Sequence, residues 1–232
     1  MSEKMKKNFV QLDDNKWPTT KGRRIDGFRF YEIDGKHYPS ITTVLGAEKK
    51  PGLEQWRKNV GEEAANWEMA RAARRGKATH TLVEQFLKDE TPAIRDVLPL
   101  GLFRLLKPYL EKVDNIHALE KIMYSHKYTI AGQVDCIAEY EGKLSVIDFK
   151  TANKERNDSW NENYYIQCSA YAEMYQELFG TNIDQIVILM ASEDGSVRSF
   201  IKDKKDYLEK LKENIAFFYK YYEEKTKDKI KS

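Results

Sequence analysis

Apolar residues follow different periods in different stretches of this chain, and the period assigns the elements. Residues 1–25 are mainly polar and basic and predict a loose arm. FRFYEIDGKHYPSI (28–41) predicts a hairpin around the tight-turn pair Asp34 and Gly35. Ser40 then caps a short helix, ITTVL. Residues 53–89 keep a helical spacing, with a break expected near Gly76, and 93–113 continue as helix interrupted by Pro99 and Pro108. HALEKIMYS (117–125) reads as a strand, and 130–140 and 143–150 as a second hairpin. A helix over 161–179 ends at Gly180. The apolar run 183–192 is a buried strand, SVRSFIK a further strand, and 203–224 a long amphipathic helix before a charged tail. No internal repeat is visible. Helices precede the central hairpin and separate it from the next strand, so the predicted class is α/β with a mixed central sheet flanked by helices. One domain over 26–232 is expected: a hairpin and helical region (26–115), a sheet core (116–202) and a C-terminal helix (203–232).

The central hairpin contains an anomaly. GQVDCIAEYEGKLSVIDFK places Asp135 and Asp148 inside apolar strands, where carboxylates are depleted and costly to bury. Side chains alternate along a strand, so Leu144, Val146, Asp148 and Lys150 share one face. If Glu141 and Gly142 form a two-residue turn, facing residues have numbers summing to 283, and Asp135 lies opposite Asp148. Like charges so placed repel. A divalent cation between them offsets the repulsion, because hard cations take oxygen ligands. Lys150, one step along the same face, points at the same spot and would stabilise charge on a phosphate or hold a water. The plain alternative is a salt-bridged trio on a solvent-facing edge strand. The apolar character of both faces argues instead for a covered, central strand. Glu120, one strand earlier, is within reach of the same zone, or else is simply exposed.

Two helical stretches carry further candidates. In GKATHTLVEQFL, Thr79, Leu82, Val83, Phe86 and Leu87 form the apolar stripe and His80 sits at its border. Alone it reads as a satisfied border histidine; beside an acidic site it becomes a nitrogen ligand. In YYIQCSAYAEMY, Gln167 and Tyr171 share a face, either packing or aimed at the site, while Tyr175 reads as packing.

Charge and composition narrow the rest. A net charge of +2 and pI near 8.3 neither require nor exclude nucleic acid, since a local patch decides. Arg71, Arg74, Arg75 and Lys77 are such a patch, either gripping phosphates or forming a solvated helix face. Trp56 and Trp67 read as core packing rather than base-stacking platforms. No window approaches the roughly 20 apolar residues of a membrane span. The start lacks an apolar signal core and carries acids, so the expected location is cytoplasmic. Cys136 and Cys168 both fall in core elements, which fits a reducing compartment. Two cysteines do not supply the four thiolates of an ordinary iron–sulfur cluster.

GKATH (76–80), GQVD (132–135), DFKT (148–151) and QCSAY (167–171), in that order, resemble the RecB-like branch of the PD-(D/E)XK nuclease superfamily. YPSITTVL and the Glu before GQVD look most like its mitochondrial genome maintenance exonucleases and their phage-encoded relatives. The resemblance spans about 37–175 and implies a restriction-endonuclease-like core. It implies Mg2+ or Mn2+ on Asp135 and Asp148, with His80 assisting, Glu120 in reach, and Lys150 as the catalytic lysine. Gln167, Tyr171 and Thr151 would support the site or contact DNA, alongside Arg74, Arg75 and Lys77. The implied activity is a metal-dependent DNA exonuclease preferring single strands with a free end. The alternatives are a structure-specific endonuclease and a non-catalytic single-strand DNA-binding protein. No helicase P-loop is present, so any motor would be a replication or recombination partner protein.

Overall fold

The computed structural model describes residues 6–91 and 96–230; the first five residues of the expected arm and part of the segment before the second proline-bearing helix lie outside the described residues. Three short antiparallel strands open the body: β1 (Arg23–Ile25), β2 (Phe28–Ile33) and β3 (Lys36–Pro39). Both connections are two-residue turns. Asp26 and Gly27 have φ of 53° and 82°, and Asp34 and Gly35 have 48° and 73°, the left-handed geometry that matches the twist of paired strands.

Helix α1 (Ile41–Ala47) starts at Ser40, whose Oγ accepts the Thr43 N–H at 3.1 Å. α2 (Lys50–Val60) and α3 (Glu62–Leu87) are separated at Gly61, where φ is 87°. The break expected near Gly76 is absent, because that glycine holds ordinary helical backbone and α3 runs through it for 26 residues. α4 (Val97–Leu110) likewise contains both prolines. Pro99 lies in its first turn, where backbone N–H groups have no intrahelical partner. Pro108 sits in the last turn, so only the final hydrogen bonds are affected.

The main sheet orders β4 (Val113–Ser125), β5 (Ile130–Tyr140), β6 (Lys143–Ala152), β7 (Gln185–Ser192) and β8 (Val197–Asp203) side by side. β6 and β7 are parallel, with α5 (Glu162–Phe179) as the crossover; every other pair is antiparallel, so the sheet is mixed. α6 (Leu208–Ile230) follows β8. Side-chain alternation along β7 feeds two cores. Ile186, Ile188 and Met190 pack with α1, α5 and α6, while Val187, Leu189 and Ala191 pack with α3 and α4. β1–β3 dock on the far end through Tyr31, Ile33 and Tyr38 against Ala131.

Two surface expectations are corrected. The arm is not loose where described: the Val10 N–H donates to the Ile116 carbonyl (2.8 Å), the Ile116 N–H donates to the Asn8 carbonyl (2.7 Å), and Trp17 is buried against Phe179. It thereby covers the outer edge of β4. Trp56 and Trp67 are exposed, not core. No residue of α2 is buried, and in the first three turns of α3 only Ala65 is. Among the described residues no helix is long and apolar enough to cross a membrane.

Candidate active site

The β5–β6 turn at Glu141 and Gly142 is left-handed at both residues, with φ of 53° and 77°. Facing residues do sum to 283, from Tyr140↔Lys143 to Cys136↔Ile147. There the ladder stops, one step short of Asp135 and Asp148. β6 stays with β7 to its end, while the first half of β5 leaves with β4. The Asp135 carboxylate fills the place of the next ladder bond: its Oδ2 accepts the Phe149 N–H at 3.0 Å.

Across β4 the same residue meets a second irregularity. Leu119↔Cys136 and Lys121↔Val134 bracket Glu120 and Asp135, so these two face each other. Glu120 has φ of 53°, a conformation costing a non-glycine residue about 1 kcal/mol or more. The alternation slips there on both strands. Val134 belongs to one core and Cys136 to the other, although they are two apart. The slip gathers Glu120 and Asp135 at the point where β5 and β6 part.

His80 reaches this point from α3. Its Nε2 lies 2.6 Å from the Phe149 carbonyl, which only accepts, so Nε2 carries the proton and donates. In the neutral ring Nδ1 is then a free lone pair. It lies 3.6 Å from Asp135 Oδ2 and 4.0 Å from Glu120 Oε1. One ligand atom from each of His80, Glu120 and Asp135 falls within 4.8 Å of the others. Burial first, and Asp135 second, push the Glu120 carboxyl up to about 7, against the opposing pull of His80. Two carboxylates and a pre-oriented imidazole suit a divalent cation, which would relieve the cost of crowding those acids.

Asp148 stands apart from that trio. Its side chain is 2% exposed; Oδ2 ion-pairs with Lys150 Nζ but forms no well-aligned hydrogen bond, and Oδ1 accepts from Gln167 Nε2 at 3.3 Å. Burial raises its pKa, partly countered by Lys150. Burial works against the Lys150 charge, but Asp148 and Asp135 outweigh it, so the ammonium persists above its ordinary range. Lys150 Nζ also lies 5.0 Å from the centre of the Tyr164 ring. Tyr171, 2% exposed, donates its hydroxyl to the Gln133 carbonyl at 2.7 Å, and Gln167 Nε2 lies 3.5 Å from that hydroxyl. Tyr164, Gln167 and Tyr171 form one face of α5 over a cavity of about 390 Å³, which Glu120, Asp135 and Lys150 also line. Arg29 and Tyr31 of β2 form another wall.

The remaining candidates separate by burial. Arg75 is buried, and its Nε donates to Thr151 Oγ1 at 3.1 Å, so both support the interior of the site. Arg74 and Lys77 are exposed. Burial pushes the thiols of Cys136 and Cys168 up, so neither is a thiolate nucleophile. The motifs did not single out Tyr164 or the Phe149 carbonyl. The i, i+3, i+7 spacing of Tyr164, Gln167 and Tyr171 was the signal for the first; the second has none in sequence, since every residue has a carbonyl.

Comparison with known proteins identifies the family. Residues 54–228, well over half of the chain, match the PD-(D/E)XK nuclease superfamily. Mitochondrial genome maintenance exonuclease 1 of Homo sapiens is 27% identical, over 60% of this chain and 49% of its own length. The Mus musculus protein of that name is 24% identical over 68% and 51%, and the Xenopus tropicalis one 26% over 68% and 49%. The chain spans about half the length of the curated relatives it matches. It belongs to the PD-(D/E)XK nuclease superfamily.

Proposed function

We propose that this chain is a metal-dependent DNA exonuclease that prefers single strands with a free end. The observation carrying the metal dependence is the convergence of His80 Nδ1, Glu120 and Asp135 beside the Lys150 ammonium. His80, Glu120 and Asp135 would hold Mg2+ or Mn2+, with Asp148 adjacent. When bound, the cation polarises a phosphoryl oxygen and lowers the pKa of a coordinated water. The chain's own residues do the rest. The Phe149 carbonyl fixes the His80 tautomer, and the Phe149 N–H fixes Asp135. Asp148 keeps Lys150 charged and aimed, so that Nζ stabilises the negative charge that grows on the phosphate during attack. Gln167 holds Asp148, and Tyr171 ties α5 to β5.

Single-strand preference is supported by the region next to this cavity. Arg156 hydrogen-bonds Tyr164 Oη at 3.1 Å and borders a groove of about 1070 Å³ that contains exposed Leu53, Trp56, Val60 and Met69. Unpaired bases stack on such aromatic and cationic surfaces, whereas bases in a duplex are already stacked on one another. The named activity of the curated relatives supports the exonuclease mode. The two buried, free cysteines fit a reducing compartment.

The test uses end-labelled linear and closed circular single strands of one sequence, in Mg2+, in Mn2+ and in excess EDTA. The expected result is loss of the linear strand only, and only with metal. Equal loss of circles would replace the exonuclease mode by an endonuclease; undiminished cleavage in EDTA would remove the metal centre. Binding without cleavage in either metal would leave a single-strand DNA-binding protein.

A further inference from the structure

α3 is attached to the end of β6 at two places. One is the bond from His80 Nε2 to the Phe149 carbonyl. The other lies five residues earlier, at Arg75, which is only 6% exposed. Arg75 Nε donates to Thr151 Oγ1 at 3.1 Å and Nη2 to the Thr151 carbonyl at 3.5 Å. Its Nη1 reaches both Asn153 Oδ1 and the Glu193 carboxylate. Arg71, one turn back, holds the other oxygen of Glu193. The Glu193 N–H in turn donates to the Ala152 carbonyl at 3.0 Å, so the acid is tied to β6.

The two attachments run in step. Five helical residues advance about 7.5 Å, and two strand residues about 6.6 Å, so helix and strand pass each other in opposite directions over matched lengths. A slip of one residue along α3, about 1.5 Å with a turn of about 100°, would swing Nδ1 away from the acids. The planar guanidinium satisfies four acceptors in a fixed fork, which a lysine at the same position does not.

We infer that Arg75 is a positioning residue: through Thr151, Asn153 and Glu193 it sets the axial seat of α3 and thereby presents His80 Nδ1 to Asp135 and Glu120. This inference rests on the metal reading proposed above. It gives a purpose to a charge buried in the interior, and it removes Arg75 from the set of phosphate contacts.

The experiment is isothermal titration of Mn2+ into the metal-free wild-type chain, Arg75→Gln, His80→Ala and the double variant. Arg75→Gln is expected to weaken Mn2+ binding by about 10- to 100-fold, the usual effect of losing the support of a ligand. In the His80→Ala background the same change should add less than about twofold, because a histidine that is gone needs no seat. Full additivity, or unchanged Mn2+ affinity in Arg75→Gln, would overturn the inference, since a merely structural ion pair would act independently of His80. If Arg75→Gln does not fold, Glu193→Gln carries the same cycle with a smaller loss of about fivefold. Single-strand DNA affinity is measured across a salt series in EDTA. A slope unchanged by Arg75→Gln is expected, and a slope smaller by about one would reassign Arg75 to a phosphate. A wild-type chain that binds no Mn2+ removes the metal reading and this inference together. Binding weakened by His80→Ala but not by either supporting variant removes this inference alone.

Discussion

Gly132 opens the GQVD segment, and the structure assigns its lack of a side chain a specific cause. A Cβ built there would lie 2.8 Å from Tyr171 Cε1, 3.0 Å from Tyr171 Oη and 3.0 Å from Ile41 Cγ2. The backbone is not in the left-handed region, so the contact alone is at issue. Carbon atoms rest about 3.5–4.0 Å apart, so in Gly132→Ala the phenol ring must retreat by roughly 0.7 Å or more. Tyr171 is buried and anchored to the Gln133 carbonyl, so a retreat of the ring strains that hydrogen bond. Overpacking of this kind costs about 1–3 kcal/mol. Disturbing the buried hydrogen bond adds about 1 kcal/mol. Stiffening the unfolded chain returns about 0.4–1 kcal/mol. The expected net loss is therefore about 2 kcal/mol, or roughly 0.7 M in the urea midpoint if the slope is about 3 kcal/mol per M. The assay is urea unfolding of the metal-free protein, followed by circular dichroism, for Gly132→Ala, Tyr171→Leu and both together. Once the ring is removed, Gly132→Ala should add less than about 0.5 kcal/mol, giving a coupling of about 1.5 kcal/mol. Simple additivity of the two changes, or an unaltered midpoint in Gly132→Ala, would refute the steric account.

Asp135→Asn should abolish cleavage while leaving the fold intact, because the amide oxygen still accepts the Phe149 N–H; normal cleavage in Mg2+ would remove Asp135 from the site. Asp148→Asn should also be inactive but less stable than Asp135→Asn by about 2 kcal/mol or more, because it strands the Lys150 ammonium in the interior, and paired urea titrations compare them. Lys150→Ala should lower kcat far more than single-strand affinity, and an equal loss of binding with unchanged kcat would make Lys150 a phosphate grip. Glu120 gives a pH test in EDTA. Its folded-state pKa is raised from 4.5 to about 7, so the folded chain holds more protons than the unfolded one between those values. Stability should therefore fall as pH rises through that window, by about 3 kcal/mol in total, and Glu120→Gln should flatten the slope. An identical pH slope in both proteins would contradict the burial argument.

The parts of this fold legible in sequence are those fixed by local geometry. The facing of residues across β5 and β6 followed from a two-residue turn and the period of two, and it extends from Tyr140↔Lys143 to Cys136↔Ile147. Ser40 announced α1, and Gly180 closed α5 with φ of 76°. Where glycine was the only cue, the letter did not carry the dihedral. Gly61 and Gly76 look alike in sequence, yet only Gly61 adopts a conformation that ends a helix. Proline misled for a related reason: its effect depends on whether the missing N–H had a partner, and in the first turn of α4 it had none. Trp56 and Trp67 were assigned to the core by residue type, but both side chains are exposed, Trp56 on a helix with no buried residue.

The candidate site shows the same division at higher stakes. Asp135, Asp148 and Lys150 stood out because strands disfavour such residues, so the local rule and the sequence were in conflict, and such conflicts concentrate at functional positions. Glu120 was visible as an acid one strand earlier, within reach of the same zone; what the sequence did not show is its backbone φ of 53° in the middle of β4. That irregularity and the end of the β5–β6 ladder occur at the same level of the sheet, on either side of Asp135. A regular sheet would have kept Asp148, as well as Glu120, facing Asp135 and set three carboxylates in a row. Instead one neighbour is brought toward His80 and the other is turned inward onto Lys150. The two departures from regularity thus sort three similar acids into two environments. Glu120 and Asp135 are left sharing one site with His80, and Asp148 is left buried with a permanent cation. A single period applied along the chain predicts that the acids meet; only the breaks in that period determine what each one does there.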